Sequence, residues 1–562
     1  MGPVHMYFLI LKRVIILLLI SLVHLEITLA QSTFGHVKTI FDNNCTIGCH
    51  SGPSASGQLD LSGSASSVLL ALLADPVNPA ALEEGMRLVD PGYPDRSFLF
   101  AKVAADIDPF DHTIPAMGVD MPQNQPALAH KDIEMIRQWI LFGADTVTNY
   151  VDPQIVEDYY GGNGLARVEP LVAPAPEDGF QIHYGPFFLA PLQEKEYFYK
   201  YATNLPEPLE VNRIQTLINE ESHHTALYRY YPQADTNFLP GLRPVQNVLV
   251  AAGVYYTSDI IGQWPNSQDL ILPDGAAFNF AADVVVDLNY HIPNYSADSI
   301  LAAEFYMNIY TQPVGTAQHE MKSAPMYYGG ADPTALTVPG FTVDSVYTFA
   351  TFDTDSSYTW YIWSMMAHTH QLGQDYQVWK RNPDGTKGEN VYNGHYNSSY
   401  TFDQGYYDWQ HPPFRTFDDE LLEVDMTHGL IHEATFSNPG SETVWFGLRT
   451  TDEMYVTYVQ YVEAPLTPGI SEQANALNSE LIAYPNPTNG LVNLNFESKK
   501  AEMVSILLLD QYGKEVYRLD SKFGVGDQTL RIDIGGLGLA KGVYLVQITS
   551  DHVSRSARVA LF

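Results

Sequence analysis

The sequence predicts a multidomain protein built mainly from antiparallel β-sheet. At 562 residues the chain is long enough to form several hydrophobic cores. It contains 36 Tyr, 26 Phe and 36 Pro, and its short β-branched runs are separated by Gly, Asn and Asp, which favours strands joined by turns. Changes in composition predict segments with the bounds 1–30, 31–150, 151–179, 180–312, 313–465, 466–480 and 481–562.

The charge of the chain argues against a nucleic-acid partner. Lys and Arg total 29 and Asp and Glu total 65, which gives a net charge of −36. No basic run is present that could follow a phosphate backbone. We therefore expect no binding to DNA or RNA.

Residues 1–30 have the pattern of an export signal. Two basic residues precede the apolar run VIILLLISLV, which is too short to span a bilayer comfortably, and ITLAQS offers a cleavage point near Ala30. An uncleaved membrane anchor is the alternative, but His24 and Glu26 interrupt the apolar stretch. The sequence therefore predicts a secreted or cell-surface protein.

The two cysteines of the chain lie together in NNCTIGCHSG. In an exported protein, a small-loop disulfide between Cys45 and Cys49 is one interpretation. Covalent haem attachment is the other, because two thioether bonds would hold the macrocycle and the adjacent His50 would reach the iron. Three residues separate the cysteines here, whereas the usual haem motif has two.

The sequence after this motif supplies a second axial ligand and a helix. Met121 precedes a predicted helix that ends at Gly143 and has four large apolar residues on one face, Ile133, Ile136, Trp139 and Ile140. The proline-flanked Met and the helix ending in WILFGA resemble bacterial c-type cytochrome modules over residues 35–146. That resemblance implies a small helical domain with haem c on Cys45, Cys49, His50 and Met121. Met117 is the rival ligand, and either Met could instead fill the core.

A spacer and two β-rich units follow this module. Residues 151–179 include EPLVAPAPEDG, whose proline and acid content predicts a semi-rigid linker. Between residues 180 and 465, apolar and polar residues alternate over short runs such as AADVVVDLNYHI and SVYTFATFDT. This length suits two β-sandwiches, over 180–312 and 313–465.

The β-rich region carries a set of residues suited to binding metal: His223, His224, His291, His368, His370 and Met454. On a strand, His368 and His370 point to the same face and can bind one ion. The adjacent His223 and His224 would point to opposite faces of a regular strand. We therefore predict a bend or bulge there.

In chain order, these ligands and the words DEMYVTYVQYVEA and GQWPNSQDLILPDGAAFNF resemble the copper type II monooxygenases, the family of peptidylglycine and dopamine hydroxylases. The resemblance implies two jelly-roll-like β-sandwiches with one copper each, facing one another across a solvent cleft. His223, His224 and His291 would hold the copper that takes in and stores an electron from ascorbate or another external donor. His368, His370 and Met454 would hold the copper that meets O2 and hydroxylates a substrate C–H, since a thioether favours Cu(I).

The predicted substrate pocket differs from that of the peptide-amidating members. Those members carry an Arg two residues before the H-x-H motif to pair with a carboxylate, whereas this chain has Met366. Tyr458 matches another pocket position. A more apolar small molecule or peptide is therefore the expected substrate. The alternatives are a zinc or vestigial site, a non-catalytic secreted copper-binding or electron-transfer protein, and an adhesion module with incidental histidines.

The fused modules suggest an electron relay, in which haem supplies electrons to the His223, His224 and His291 copper. Two further histidines, His428 and His432, lie four residues apart but in predicted β-structure, and we interpret them as structural.

Residues 481–562 predict a separate C-terminal domain. The words YPNPTNG and GVYL, set among strand-rich segments, resemble the type A sorting domain of the type IX secretion system. This resemblance implies passage across the outer membrane of a Bacteroidota-like bacterium by the type IX machinery, followed by removal of the domain. A small immunoglobulin-like binding module is the alternative.

Overall fold

The computed structural model describes residues 31–104, 107, 117–237, 240–245, 258–264, 266–330, 333–353, 358–396, 406–447, 449–466, 481–484, 488, 490–498, 502–509, 514–550 and 553–561. The chain is mainly β, with 45% strand and 15% helix. It divides into two compact units, Met1–Leu466 and Thr467–Phe562. The predicted export signal, and the 466–480 linker apart from Leu466, lie outside the described residues. Within the described part of the chain, no helix is long and apolar enough to cross a membrane.

The first part of the larger unit is a helical domain (residues 32–163). Its α-helices are α1 Thr33–Asn44, α2 Ala65–Leu72, α3 Pro79–Glu83, α4 Phe98–Val103, α5 His130–Leu141 and α6 Pro153–Asp158. Short 3₁₀ turns occupy Gly52–Ser54, Ser56–Gln58 and Pro94–Arg96, and a π-helical turn occupies Tyr159–Asn163. The predicted helix before Gly143 is confirmed as α5, and its four apolar residues are all buried. Gly143 adopts a φ of 93° just beyond the helix end, which favours glycine.

The prediction of a spacer over 151–179 is wrong for its first half. Val156 on α6 is fully buried, and the ring of Tyr159 lies 5.0 Å from that of Phe188. Arg167 forms an ion pair with the buried Glu304. The apolar and charged side chains of this segment therefore pack on the following domain, although its proline-rich part, 169–175, forms no helix or strand.

The first β-domain (residues 179–320) consists of two sheets around a core that is continuous with the core of the helical domain. Its strands are β1 Gly179–Leu189, β2 Glu194–Ala202, β3 Leu209–Ile218, β4 His224–Tyr230, β5 Gly241–Pro244, β6 Ser258–Trp264, β7 Asp269–Ile271, β8 Ala276–Phe280, β9 Val285–Pro293, β10 Leu301–Pro313 and β11 His319–Glu320. One sheet has the order β1-β10-β3-β8-β11, with β7 beside β3, and the other has the order β5-β2-β9-β4-β6.

The boundary predicted at 312/313 lies too early. Strand β11 pairs in parallel with β8, and Met321 is fully buried in the core of the first β-domain. The first β-domain therefore extends at least to Met321. Its other described strand pairs are antiparallel, as predicted.

The second β-domain (residues 322–462) has its own core. Its strands are β12 Lys322–Tyr327, β13 Thr337–Val338, β14 Thr342–Thr351, β15 Thr359–Thr369, β16 Gly373–Arg381, β17 Lys387–Asn393, β18 Arg415–Thr416, β19 Leu422–Asp425, β20 Leu430–Asn438, β21 Val444–Trp445 and β22 Tyr455–Val462. The sheets have the orders β12-β22-β15-β18, with β19 beside β15, then β14-β20-β16-β17, and β13-β21.

The two β-domains meet along β6. The carbonyl of Ile261 accepts hydrogen bonds from the Ser323 hydroxyl and the Gln460 side-chain amide, both at 2.8 Å. These contacts join β6 to β12 and β22. They bring the histidine-bearing edges of the two domains together.

The C-terminal domain forms a compact unit of its own with a separate core. Its strands are β23 Ile482–Tyr484, β24 Leu491–Ser498, β25 Glu502–Leu509, β26 Glu515–Phe523, β27 Gly526–Asp533, β28 Gly542–Ser550 and β29 Val553–Leu561. They form sheets of order β23-β24-β27 and β26-β25-β28-β29. The GVYL word begins β28, whereas residues 485–487 and 489 of YPNPTNG lie outside the described residues.

Candidate metal centre

The first β-domain brings His223, His224 and His291 together at the edge of one sheet. His224 is the first residue of β4 and pairs directly with His291 on β9. His223 precedes the strand, and its backbone N–H donates to the His291 carbonyl at 3.0 Å. The predicted distortion between the two adjacent histidines is thus a strand end rather than a bulge. Their ring centroids lie 4.9 Å apart, and each is within 5.2 Å of the His291 ring.

The second β-domain presents the H-x-H motif at the end of β15. The rings of His368 and His370 lie 5.1 Å apart, as expected for two side chains on one face of a strand. The Nδ1 atom of His368 lies 3.2 Å from the amide nitrogen of Gln263, and Nδ1 of His370 lies 3.2 Å from the Asp452 carbonyl. Such contacts from outside the ligand set fix the ring orientation and leave Nε2 as the ligand atom.

The two histidine groups are in direct contact. The ring of His368 lies 5.5 Å from that of His223 and 5.3 Å from that of His224, and the ring of His370 lies 5.8 Å from that of His223. The expectation of two sites on opposite sides of a solvent cleft is therefore wrong for this structure. Contacts along β6 close the space between the domains. We call His223, His224, His291, His368 and His370 the five-histidine cluster.

The ring nitrogens of the five-histidine cluster fit a metal. All five side chains are buried, and within the described residues no hydrogen-bond partner is present for Nδ1 or Nε2 of His223, Nδ1 of His224 and His291, or Nε2 of His368 and His370. A buried polar atom without a partner costs roughly 1–3 kcal/mol. Metal coordination would remove that cost, and imidazole suits copper and zinc.

The nitrogens converge as two overlapping triads. One consists of His223, His224 and His291, and the other of His223, His368 and His370, and within each triad the ligand atoms lie within 4.8 Å of one another. Ligand atoms about 2 Å from one ion lie at most about 4 Å apart. Small side-chain shifts would therefore complete either triad.

Met454 lies beside the five-histidine cluster. It immediately precedes β22, is buried, and shares the lining of a small cavity with His224 and His368. The cavity measures about 20 Å³, which is room for about one water molecule. The structure thus brings all six predicted ligands into one region.

The two predicted substrate-pocket residues lie on the same face as the metal ligands. Met366 is two residues before His368 on β15 and pairs across the sheet with Tyr458 on β22. Met366 is almost fully buried, and Tyr458 lines the cavity beside Met454. Their placement is compatible with a role next to the metal site.

Two carboxylates support the cluster and were not predicted. Glu453 is fully buried and accepts backbone hydrogen bonds from His370, Leu372 and Met454. Burial raises the pKa of Glu453 to about 8, although these three hydrogen bonds oppose the rise. Glu194, at the start of β2, is hydrogen-bonded to Nε2 of His291 and to the Thr450 hydroxyl. The sequence gives no signal for this role, because the pairing of Glu194, the first residue of β2, with His291 depends on the fold.

Burial lowers the pKa of four rings of the five-histidine cluster, and the neighbouring imidazoles add to the effect. His223, His224, His368 and His370 all show this direction, with the pKa of His370 at about 3. In His291, burial is outweighed by Glu196 and Glu194, and its pKa is raised. Four neutral rings can thus offer lone pairs to a metal without first losing a proton.

The predicted haem ligands lie on the helical domain. Cys45 caps α1 and is half-buried, Cys49 is exposed, and both are free thiols, so the structure contains no disulfide between them. Nδ1 of His50 lies 3.2 Å from the Leu59 carbonyl, which leaves Nε2 as its ligand atom. Met121 packs against the same core as Cys45, whereas the rival Met117 is buried in a different cluster.

Two histidines outside the five-histidine cluster, His432 and His183, have structural surroundings. His432 lies on β20, stacks on Phe349 with ring centroids 4.4 Å apart, and hydrogen-bonds to Thr457 and Thr351 through its two nitrogens. The structural interpretation of His432 is compatible with these contacts, and His428 lies on a turn outside the five-histidine cluster. His183 lies far from this strand, between Asp95 of the helical domain and Glu304 of β10.

Comparison with known proteins assigns the C-terminal domain. The family model described as the secretion system C-terminal sorting domain matches residues 482–560. This domain directs secretion by the type IX system, which is typical of Bacteroidota, and implies contact with that machinery. No curated protein matches the chain.

Some solved structures show limited likeness to this chain. A Faecalibacterium prausnitzii β-glucuronidase is 10% identical over 64% of this chain and 47% of its own, with a TM-score of 0.14. A Lactobacillus rhamnosus β-glucuronidase is 10% identical over 41% of this chain and 37% of its own, with a TM-score of 0.12. A Ruminococcus gnavus β-glucuronidase is 9% identical over 38% of this chain and 36% of its own, with a TM-score of 0.12. This chain thus spans less than half of each enzyme, and scores this low carry no argument about fold or activity.

Proposed function

We propose that the chain is a secreted copper-dependent monooxygenase that hydroxylates a substrate C–H with O2 and an external reductant. The observation that carries the proposal is the five-histidine cluster, whose buried, partnerless ring nitrogens converge beside Met454. Imidazole binds copper in both oxidation states, and a thioether is soft enough to favour Cu(I). Bound copper would supply one-electron redox chemistry and activation of O2.

The side chains around the cluster would orient and shield the reaction. Gln263 and the Asp452 carbonyl fix the rings of His368 and His370, and Glu453 fixes the backbone between His370 and Met454. Burial of the five histidines and Met454 limits their contact with bulk water. Phe198, Ala226, Tyr228 and Tyr458 add apolar and aromatic surface to the cavity. This lining, with Met366 in place of a cation, favours a substrate without a carboxylate at that position.

We also propose that both β-domains are jelly-roll-like sandwiches and that the helical domain is a c-type cytochrome module that donates electrons. The free thiols of Cys45 and Cys49 and the anchored ring of His50 support haem attachment. The hydroxyl of Tyr199 donates to the Gly92 carbonyl at 3.0 Å, so the helical domain docks directly on the first β-domain. A docked donor would reduce the copper at a high effective concentration. If reduced haem is not reoxidised faster in the presence of copper, the relay is wrong.

Metal content tests the proposal directly. The purified full-length protein is loaded with Cu²⁺, dialysed and analysed for metals by mass spectrometry, and about two copper ions per chain are expected from the two triads. His368→Ala should lower the copper content, whereas His428→Ala, a matched control on a turn outside the cluster, should not. Copper-dependent O2 consumption with ascorbate would follow. Retention of zinc, or of no metal, would overturn the proposal.

A second function, that of a non-catalytic copper-binding or electron-transfer protein, is favoured by one observation. The cavity beside Met454, at about 20 Å³, holds about one water molecule and no organic substrate. This function predicts tight copper that cycles between oxidation states with no product from any C–H donor. A hydroxylated product that carries one oxygen atom from ¹⁸O2 would rule it out.

A further inference from the structure

His223 differs from the other members of the five-histidine cluster in the state of its two ring nitrogens. Both Nδ1 and Nε2 are buried, and the described residues offer neither of them a hydrogen-bond partner. In His291, His368 and His370 the second nitrogen instead has a partner, in Glu194, Gln263 and the Asp452 carbonyl respectively. The protein thus prepares those rings to offer one ligand atom, and His223 to offer two.

His223 also has a distinct position. It is the one residue that belongs to both triads within the described part of the chain. Its ring lies 5.0 Å from that of His291, and 5.5 and 5.8 Å from those of His368 and His370. Binding one ion through one nitrogen would satisfy only half of this ring, and the other nitrogen would stay buried without a partner.

We propose that His223 bridges two copper ions as an imidazolate. His224 and His291 complete the ligand set of one ion, and His368 and His370 complete that of the other. This inference rests on the proposed copper function and deepens it, because it replaces two independent sites with one coupled binuclear centre.

The bridge forms by simple ligand exchange. A neutral imidazole has one nitrogen with a lone pair and one with a proton. The lone pair binds the first Cu²⁺, and binding of the second Cu²⁺ breaks the N–H bond, forms a Cu–N bond and releases the proton to solvent. No electron is transferred, so no oxidant or reductant is needed.

The structure favours two ions over a single ion held by all five rings. Among the described residues, the ligand atoms form two groups of three that share His223, and no group of four or five histidines lies within 4.8 Å. The two pairs have separate supports, since Glu194 lies on β2 of the first β-domain and Asp452 lies next to β22 of the second, although the rings of His224 and His368 lie 5.3 Å apart. Trp409, whose ring lies 5.0 Å from that of His223, covers the shared ring.

Electron paramagnetic resonance with copper counting tests the bridge. The purified full-length protein is loaded with Cu²⁺ alone, and the spin it shows is compared with its copper content by mass spectrometry. A bridging imidazolate couples the two Cu²⁺ spins antiferromagnetically, so at low temperature the detected spin should fall far below two per chain while the copper content stays near two. Loading with Zn²⁺ in large excess over Cu²⁺, so that almost every copper-bearing chain holds a single copper, should restore nearly one full spin per copper, which shows that the missing spin is not caused by reduction.

Variants identify the bridging residue. His223→Ala keeps the other four imidazoles, and any copper it binds should show its full spin, whereas His428→Ala should keep the coupling. Should His223→Ala fail to fold, the Cu²⁺-against-mixed-metal comparison on the unmodified protein still decides the question. Two copper ions with two full spins would overturn the bridge and leave the proposed function standing. One copper per chain would overturn the binuclear centre, and no copper would overturn both proposals.

Discussion

Removing the Glu304 carboxylate is a sharp test of how the helical domain is held on the first β-domain. Glu304 on β10 is fully buried and accepts hydrogen bonds from Nε of Arg167 at 3.0 Å and the Tyr306 hydroxyl at 3.1 Å. Its Oε1 also lies 3.4 Å from Nε2 of His183, whose Nδ1 lies 3.1 Å from the Asp95 carboxylate of the helical domain. Glu304→Gln keeps the shape of this side chain and removes its charge.

The size of the effect follows from the pKa of Glu304. Burial alone would raise it, but the hydrogen bonds from His183 and Arg167 lower it from 4.5 to about 2. This corresponds to roughly 3 kcal/mol of stabilisation. Arg167 is 22% exposed, so water compensates part of the loss. We therefore expect Glu304→Gln to lower the free energy of unfolding by about 2–3 kcal/mol.

The pKa values of Glu304 and His183 predict how the stability difference between the unmodified protein and Glu304→Gln depends on pH. The folded-state pKa of Glu304 is depressed, so the stabilisation from its carboxylate is present above pH 4.5 and is lost as the pH falls towards about 2. Burial would lower the pKa of His183, but hydrogen bonds to Asp95 and Glu304 raise it from 6.5 to about 9. The stabilisation from protonated His183 is therefore complete below pH 6.5 and is lost as the pH rises to about 9. The difference between the two proteins should be largest between 4.5 and 6.5.

Urea unfolding of the full-length protein, followed by tryptophan fluorescence, measures this difference. Glu157→Gln is the matched control, because Glu157 is an exposed carboxylate on α6 paired with Lys131 at 2.6 Å, and its midpoint should not change. A loss below about 1 kcal/mol for Glu304→Gln, the range of surface ion pairs, would refute the reasoning. A loss of unfolding free energy that has the same size above and below pH 4.5 would also refute it.

Three further predictions concern metal, haem and export. Gln263→Ala should weaken copper binding at His368 by about 10–100-fold, because the ring loses the contact that orients it; competition with a chelator measures this, and unchanged affinity would contradict it. Replacing Cys45 and Cys49 by Ala should abolish haem that survives denaturing electrophoresis, whereas haem retained by the double variant would exclude thioether attachment. Deleting residues 482–562 should stop release from the cell, because this range includes the region matched to the sorting-domain family, and immunoblots of medium and periplasm would show the change.

Local patterns in the sequence predicted the elements that depend on neighbouring residues. The apolar face around Trp139 and the glycine after it define α5, and the two-residue period of a strand places His368 and His370 on one face. The mainly β character of the chain also follows from its composition. Each of these features depends on residues close together in the sequence.

Long-range packing could not be predicted in this way. Gln263 and Glu194 touch the five-histidine cluster only because β6 and β2 lie beside β15 and β9 in the folded chain. The closed contact between the β-domains depends on hydrogen bonds between residues about two hundred positions apart, such as that from Gln460 to Ile261. A single sequence contains no periodicity that reports such contacts, so it singles out the five histidines and Met454 as candidate ligands but not their shared position.

The contacts that close the β-domains also support the metal ligands, so access to the site and its geometry are coupled. Ser323 and Gln460 hold β6 through the Ile261 carbonyl, and two residues further along the same strand Gln263 orients His368. In this arrangement the cavity beside Met454 has room for about one water molecule. Movement of β6 away from β22 would make room for a substrate, but it would also break the contact to His368 and separate His223 from the H-x-H motif. A substrate that binds between the domains would therefore change the proposed copper ligand sets, and the arrangement with β6 against β22 is the state in which His223 belongs to both triads.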